Sequence, residues 1–306
     1  MELSVVIPVY GSPQSLSELV ERLMKVIGDL TLEFEIILVN DRCPLNSWEI
    51  IKYLSSKYPE VIGINFSRNF GQHYAITAGA ELSSGAYVIV MDCDLQDHPE
   101  EIPNLVMEIK KGYDLVFIKR EERQDSLMKK MSSSIFHKFL SYMTDTESDK
   151  SIANYGIYSR KVIDAYLTIK EQVRAFPLHV RWLGFHSSSI VGQHNKRHSG
   201  KSSYTFSKLL NFAMDLILSF SDKPLRLMVK FGFLISFFSM SIACYFIYNW
   251  FQNKVGVEGW ASLIVSIWFL AGITIMMLGV VGTYVAKAFD ETKKRPIYVI
   301  DEIIGK

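Results

Sequence analysis

The chain has 306 residues, 49% of them hydrophobic, with 33 Lys and Arg against 32 Asp and Glu and a net charge of +1. That length allows one large domain or two small ones, and the balanced charge gives no global pull toward nucleic acid. Cys43, Cys93 and Cys244 are far apart and lack a CxxC spacing, which argues against a disulfide framework or a zinc site and fits a reducing compartment.

MELSVVIPVYGS at the start has no basic n-region and no cleavage site, so it reads as a first strand and not as a signal peptide. LSVVIPVY is followed by a helix from about Pro13 to Ile27, with Ser12 at the N-cap and Pro13 at the first helical position. EIILVND precedes a helix around Trp48 to Ser56, and VIGINFS precedes one from Gln72 to Leu82. AYVIVMD precedes a helix near Glu100 to Lys111, and DLVFIKR forms a fifth strand. Short β-branched runs alternating with helices predict an α/β, mostly parallel sheet covered on both faces. Ligands of such sheets bind beyond the carboxyl ends of the strands. Pro8–Tyr10, Asn40–Asp41, Ser67–Arg68 and Asp92–Asp94 all fall at those ends.

From about residue 121 the chain becomes basic and amphipathic. SLMKKMSSSIFHKFLSYM carries Leu127, Met131, Ile135, Phe139 and Tyr142 at helical spacing among lysines, and residues 204–220 form a second such stretch. Both fit core-packed helices or helices lying on a membrane surface. Two long apolar runs follow, 228–250 with one charge and 262–286 with none. Each exceeds the roughly 20 residues that a spanning helix needs. Lys223, Arg226 and Lys230 flank the first run, and Lys287, Lys293, Lys294 and Arg295 follow the second, whereas the connecting loop has only Lys254, offset by Glu258. The positive-inside rule then predicts a multi-pass protein of the inner (cytoplasmic) membrane with its soluble domain and both termini cytoplasmic.

MDCDLQDHPEE places Asp92, Asp94 and Asp97 within six positions after an apolar strand. In extended chain, Asp92, Asp94 and Gln96 point to one side. Such oxygen donors suit a hard divalent cation that keeps waters and bridges substrate phosphates. Asp97, just before Pro99 and Glu100, is expected to cap the following helix. Cys93 points away from its neighbours, and His73 reads as structural.

With VVIPVYGS, ILVNDRCPLNSW, INFSRNFGQHYAITAGA, MDCDLQDHPEEIP, RQDSLMKK, HSGKSSYTFSKLL, SDKPLRL and YVAKAFDETKKRPIYVI, the sequence resembles family 2 glycosyltransferases of the polyprenyl-phosphate sugar transferase type, such as dolichol-phosphate mannose synthase and the bactoprenol glucosyltransferases. The resemblance covers nearly the whole chain. It implies a GT-A (Rossmann-like) domain at 1–203, an amphipathic juxtamembrane helix at 204–227, a two-helix transmembrane hairpin at 228–286 and a cytoplasmic tail at 287–306. It implies an inverting, metal-dependent transfer of a sugar from a nucleotide sugar to a membrane polyprenyl (undecaprenyl) phosphate. Pro8, Tyr10 and Asp41 would hold base and ribose, Arg68 would face the diphosphate, and Asp92 would face the nucleotide and its metal. Asp94 and Gln96 would ligate Mg²⁺ or Mn²⁺. Relatives often carry Gly-Asp-Phe-Arg where this chain has Ala153-Asn154-Tyr155-Gly156, so a base at that position is lost. A sugar hydroxyl needs deprotonation, whereas a phosphate acceptor is already largely anionic, with a second pKa of about 6. Such an acceptor needs cations to place it, and Arg120, Lys129, Lys130, Arg197 and Lys201 are the candidates. His98, where relatives have Pro, is expected to alter only the helix start.

Relatives with two spans can assemble as homo-oligomers. An alternative is a transferase extending a lipid-linked saccharide, and another is a non-catalytic membrane scaffold, against which the intact DxD speaks. A processive synthase fits less, because Leu178 stands where the Gln of a QxxRW motif would be, ahead of Arg181-Trp182.

Overall fold

The computed structural model describes residues 1–30, 32–120, 142–143, 152–192, 221–252 and 259–305. Two compact units are present, one formed by the chain through β7 together with the tail from Arg295, the other containing the two long C-terminal helices.

The first unit is built on an eight-stranded sheet in the order β7-β5-β6-β4-β1-β2-β3-β8. Its strands are β1 (Leu3–Val9), β2 (Phe34–Asn40), β3 (Val61–Phe66), β4 (Tyr87–Val90), β5 (Leu115–Arg120), β6 (Ile152–Ser159), β7 (Ser187–Gly192) and β8 (Ile300–Ile304). β1 pairs in parallel with β2 and β4, and β2 with β3. β6 runs antiparallel to both β4 and β5, and β8 antiparallel to β3. β5 and β7 pair in parallel. The predicted strands are all present, and β6, β7 and β8 are additions. The tail, read from sequence as a separate segment, contributes an edge strand to the sheet.

Helices α1 (Pro13–Gly28), α2 (Ser47–Lys57), α3 (Gln72–Leu82), α4 (Ile102–Ile109), α5 (Arg160–Thr168) and α6 (Phe176–Trp182) cover the two faces. Side chains of a strand alternate between faces, and β1 divides accordingly. Leu3, Val5, Ile7 and Val9 enter a core with Leu16, Leu19, Val20 and Leu23 of α1 and Leu105 of α4. Val6 enters a second core with Ala75, Ile76 and Ala78 of α3, Val162 and Tyr166 of α5 and Phe176. Pro8 is accommodated because the β1–β4 ladder ends at Val6↔Val90, so its missing N–H breaks no bond on that side. Ser12 flanks α1 with Pro13 at its start, and no side-chain capping bond forms there.

The second unit contains α7 (Lys223–Phe251) and α8 (Trp260–Thr292). Both are long and apolar enough to cross a membrane, and their apolar windows are 0% buried. Phe233, Phe237, Trp268, Phe269 and Ile275 are exposed. Such a continuous bare apolar surface is rare on a soluble monomer. At 33 residues, α8 extends roughly 50 Å at 1.5 Å per residue. That exceeds a hydrocarbon core of about 30 Å. Its last turns carry the charged residues Lys287, Asp290 and Glu291, and Lys293, at its C-cap, pairs with Asp290 at 2.7 Å.

Candidate functional site

The acidic loop follows β4. Burial alternates along it, with Asp92, Asp94 and Gln96 partly exposed and Cys93, Leu95 and Asp97 buried. The two carboxylates and the Gln96 side chain are thus the accessible groups of the segment, which lies beyond β4 and is a loop where the sequence reading assumes extended chain. Leu95 takes a left-handed conformation (φ 61°), and the Gln96 backbone N–H donates to Asp94 Oδ1 at 3.1 Å, so the loop turns on Asp94.

Each neighbouring element secures this loop. Gln72 Nε2, at the start of α3, donates to Asp92 Oδ1 at 2.6 Å. Ser15 Oγ of α1 donates to the Cys93 carbonyl at 2.6 Å. Tyr155 Oη of β6 donates to the His98 carbonyl at 2.7 Å. Asp97 differs from its expected capping role. The 3₁₀ turn Pro99–Glu101 begins after His98 with no side-chain capping bond, and Asp97 Oδ2 instead accepts the Asp92 N–H at 3.0 Å. Burial pushes the Cys93 thiol up to about 12, with the two flanking aspartates adding to it, so it stays a protonated packing group.

Asp41 lies at the end of β2 and is buried. Its Oδ1 accepts from Phe70 N at 2.7 Å and its Oδ2 from Gly71 N at 2.9 Å, while Asn69 Nδ2 donates to its carbonyl at 3.2 Å. Gly71 has φ 112°, a conformation that favours glycine, and there the chain turns into α3. Burial raises the Asp41 pKa, and the two N–H bonds oppose that rise. Arg68 is exposed, with its guanidinium carbon 4.2 Å from the Phe70 ring centroid. Tyr10 is exposed beyond β1, and Pro8 is buried within it.

The rim thus brings together Tyr10, Asp41, Arg68, Asp92, Asp94 and Gln96, with Pro8 one layer below. The β4–β6 register Val90↔Gly156, continued by two residues, brings Asn154 level with Asp92. Arg120 closes β5 in register with Gly192 at the same end of the sheet. Lys129, Lys130, Arg197 and Lys201 lie outside the described residues, as do most of the first amphipathic stretch and all of 204–220. Sequence reasoning missed Gln72, Ser15 and Tyr155, because their partners come from other strands. For Gln72 a signal existed in the GQHY at the start of α3.

Residues 4–167 match the model of the family described as "Glycosyl transferase family 2". The chain belongs to that family. An "Uncharacterized glycosyltransferase YkcC" of Bacillus subtilis is 35% identical over 309 residues, covering 100% of this chain and 95% of that protein. An "Undecaprenyl-phosphate 4-deoxy-4-formamido-L-arabinose transferase" of Shewanella sediminis is 32% identical, covering 99% and 92%. Among solved structures, TarS 1-349 of S. aureus, in complex with UDP-GlcNAc, superposes with TM-score 0.51 at 19% identity, over 71% of this chain and 66% of that one. Glucosyl-3-phosphoglycerate synthase of Mycobacterium tuberculosis, in complex with Mn²⁺, UDP and phosphoglyceric acid, gives TM-score 0.51 at 15% identity, over 71% and 76%. The sheet unit has the GT-A fold, and this family 2 member is a glycosyltransferase.

Among the described residues no group of three or more His, Cys, Asp or Glu side chains is placed to hold a metal. The loop's donors, two carboxylates and one amide, suit instead a hard cation completed by water and by substrate phosphate.

Proposed function

We propose that this family 2 enzyme transfers a sugar from a nucleotide sugar to the phosphate of a membrane polyprenol of the undecaprenyl type, with inversion at the anomeric carbon. The observation that carries the reading is the loop at the carboxyl ends of the strands in which Asp92, Asp94 and Gln96 are the partly exposed residues. Relatives named as undecaprenyl-phosphate sugar transferases, similar over nearly the whole chain, support the acceptor class.

In this reading Tyr10, Pro8 and Asp41 border the base and ribose. Asp41 acts there chiefly through its grip on the Phe70–Gly71 turn, and Arg68 faces the diphosphate. Asp94 and Gln96 would ligate Mg²⁺ or Mn²⁺, and Asp92 would face the nucleotide and that cation. Bound there, the cation supplies neutralisation of charge on the leaving nucleoside diphosphate. Gln72 holds Asp92 in place. The acceptor phosphate brings its own nucleophilic oxygen, so Asn154 need not act as a base. That oxygen attacks the anomeric carbon from the face opposite the nucleotide, forming the new C–O bond as the bond to the nucleoside diphosphate breaks. Arg120, Lys129, Lys130, Arg197 and Lys201 are the cations proposed to position the acceptor.

The layout proposed is a GT-A domain at 1–203, an amphipathic segment at 204–227, two spans within 228–286 and a tail at 287–306. The domain and both termini lie on the cytoplasmic side. The basic flanks support this orientation, as does β8, which rejoins the sheet after α8.

The test is a transfer assay with full-length protein in detergent, Mg²⁺ or Mn²⁺, undecaprenyl phosphate and a panel of nucleotide sugars, read by mass spectrometry. The expected product carries one sugar on one lipid phosphate and disappears with chelator. Asp94→Ala is expected to abolish it while the thermal unfolding midpoint is retained. Donor turnover without a lipid product would move the acceptor to a lipid-linked saccharide.

A further inference from the structure

We propose that the C-terminal strand β8 is part of the donor site and that Asp301 is its positioning residue, an inference that rests on the donor reading above. The turn after β2 needs holding, because Arg42 has φ 51°, a left-handed conformation that a non-glycine residue adopts only at a cost. Within the turn, Asn40 Oδ1 accepts from Cys43 N at 3.2 Å, and Cys43 Sγ accepts from Gly11 N at 3.2 Å, beside Tyr10. Asn40 Nδ2 in turn donates to Asn65 Oδ1 at 2.8 Å, between two buried side chains.

A row of amides has a direction, and each can be turned end for end. A carboxylate can only accept, so one at the end of the row sets that direction. Asp301 is that carboxylate. Its Oδ2 accepts from Asn65 Nδ2 at 3.4 Å and from Arg42 Nη1 at 3.2 Å. One oxygen from the tail therefore grips both the amide row and the strained residue beside Asp41. A second contact reaches the other side of the rim. Tyr298 stacks on Phe66 at 5.2 Å, and Phe66 meets Phe70, the ring under Arg68, edge-on at 5.5 Å.

Docking of β8 does not depend on Asp301. The strand is held by its ladder to β3, by Ile304 against the core, and by Glu302, which accepts from Trp48 Nε1 at 3.1 Å and lies 4.0 Å from Lys52. The Arg42–Asp301 ion pair is 54% exposed on each side and is worth little by itself. The amide row is the part that reaches the donor. Its ligand class is the nucleoside diphosphate portion of the sugar donor.

The experiment uses full-length protein in detergent, with binding of UDP, GDP, CDP and ADP measured calorimetrically in the presence of Mn²⁺. For the nucleotide that wild type binds, Asp301→Ala is expected to raise Kd roughly five- to tenfold, the worth of one ordinary hydrogen bond, since the bond from Asn65 is long at 3.4 Å. Asp301→Asn, an amide that can itself be turned end for end, no longer fixes the direction of the row and is expected to lose affinity about as Asp301→Ala does. Glu302→Ala, which loosens the same strand elsewhere, leaves Kd within about twofold while lowering the unfolding midpoint at least as much as Asp301→Ala. Unchanged affinity in Asp301→Ala, or an equal loss in Glu302→Ala, overturns the inference and leaves the donor reading standing. Wild-type affinity in Asp301→Asn shows that no acceptor-only group is needed and overturns the amide row, and a loss in Arg42→Gln equal to that in Asp301→Ala assigns the effect to the ion pair and overturns it likewise. Failure of wild type to bind any of the four removes the donor reading and this inference with it.

Discussion

Asp41 uses both carboxylate oxygens on the backbone N–H groups of Phe70 and Gly71. Removing the carboxylate would leave two partly buried donors without partners, and Asp41→Ala is expected to cost about 1–3 kcal/mol. A fall in the thermal unfolding midpoint measures this, and nucleotide binding should fall with it because the turn into α3 loosens. His73, the next residue but one, reports on the same region. Burial, helped by the nearby His179, holds its pKa at about 4 against an ordinary value of 6.5. As pH falls through 6.5 the unfolded chain takes up a proton that the native imidazole refuses until about 4. Stability is therefore complete above that window and is lost within it, by about 1–3 kcal/mol for this group. His73→Gln should flatten the fall in unfolding midpoint between pH 7 and pH 4.5. A variant with the same slope as wild type would show that His73 does not carry it. The acidic loop of Asp92, Asp94 and Gln96 was legible at this scale from its residue types after an apolar strand, whereas its turn at Leu95, where extended chain was expected, was not. The bonds from Gln72, Ser15 and Tyr155 were not, since each joins residues more than fifteen positions apart.

Helix α3 lies close against the sheet through Gly79. A Cβ there would come within 2.3 Å of Val6 Cγ1 and 3.3 Å of Val39 Cγ2. Both neighbours are stiff β-branched strand residues in a closed core, so they have little room to retreat. Gly79→Ala is expected to destabilise by about 1–3 kcal/mol despite the better helix propensity of Ala, measured by thermal unfolding. An unchanged or raised midpoint would refute the close packing. The first five strands were readable as apolar runs between helical stretches. The later ones were not. β6 contains Asn154 and Gly156, which suggest a loop, and it is a strand because β4 and β5 flank it. β7, Ser-Ser-Ser-Ile-Val-Gly, has little strand signature beyond Ile190 and Val191. β8 carries Asp301 and Glu302 in a short tail, and only the open edge of β3 makes it a strand.

At the scale of the whole molecule, the bare faces of α7 and α8 call for an apolar solvent. Placing two arginines in α8, as in the double variant Leu270→Arg/Ile275→Arg, costs about 2.5–3.5 kcal/mol per residue at a helix centre. The double variant is expected to lower the share of protein in the carbonate-washed membrane fraction, read by immunoblot, with α7 retaining the rest, whereas two arginines placed in the tail should not change it. Retention of the double variant at wild-type level would count against a spanning α8.

Sequence alone determined what depends on neighbours along the chain. The strand and helix periods, the acidic loop after β4 and the two long apolar runs follow from local geometry and from transfer of side chains out of water. Tertiary structure alone decided which distant groups meet. Examples are the buried Asp41 gripping the start of α3, Gln72 on Asp92, and the tail strand whose Asp301 reaches across 236 positions to Asn65. Those pairings depend on strand order and register, and these are set by how the whole sheet closes its two cores, which no single segment encodes.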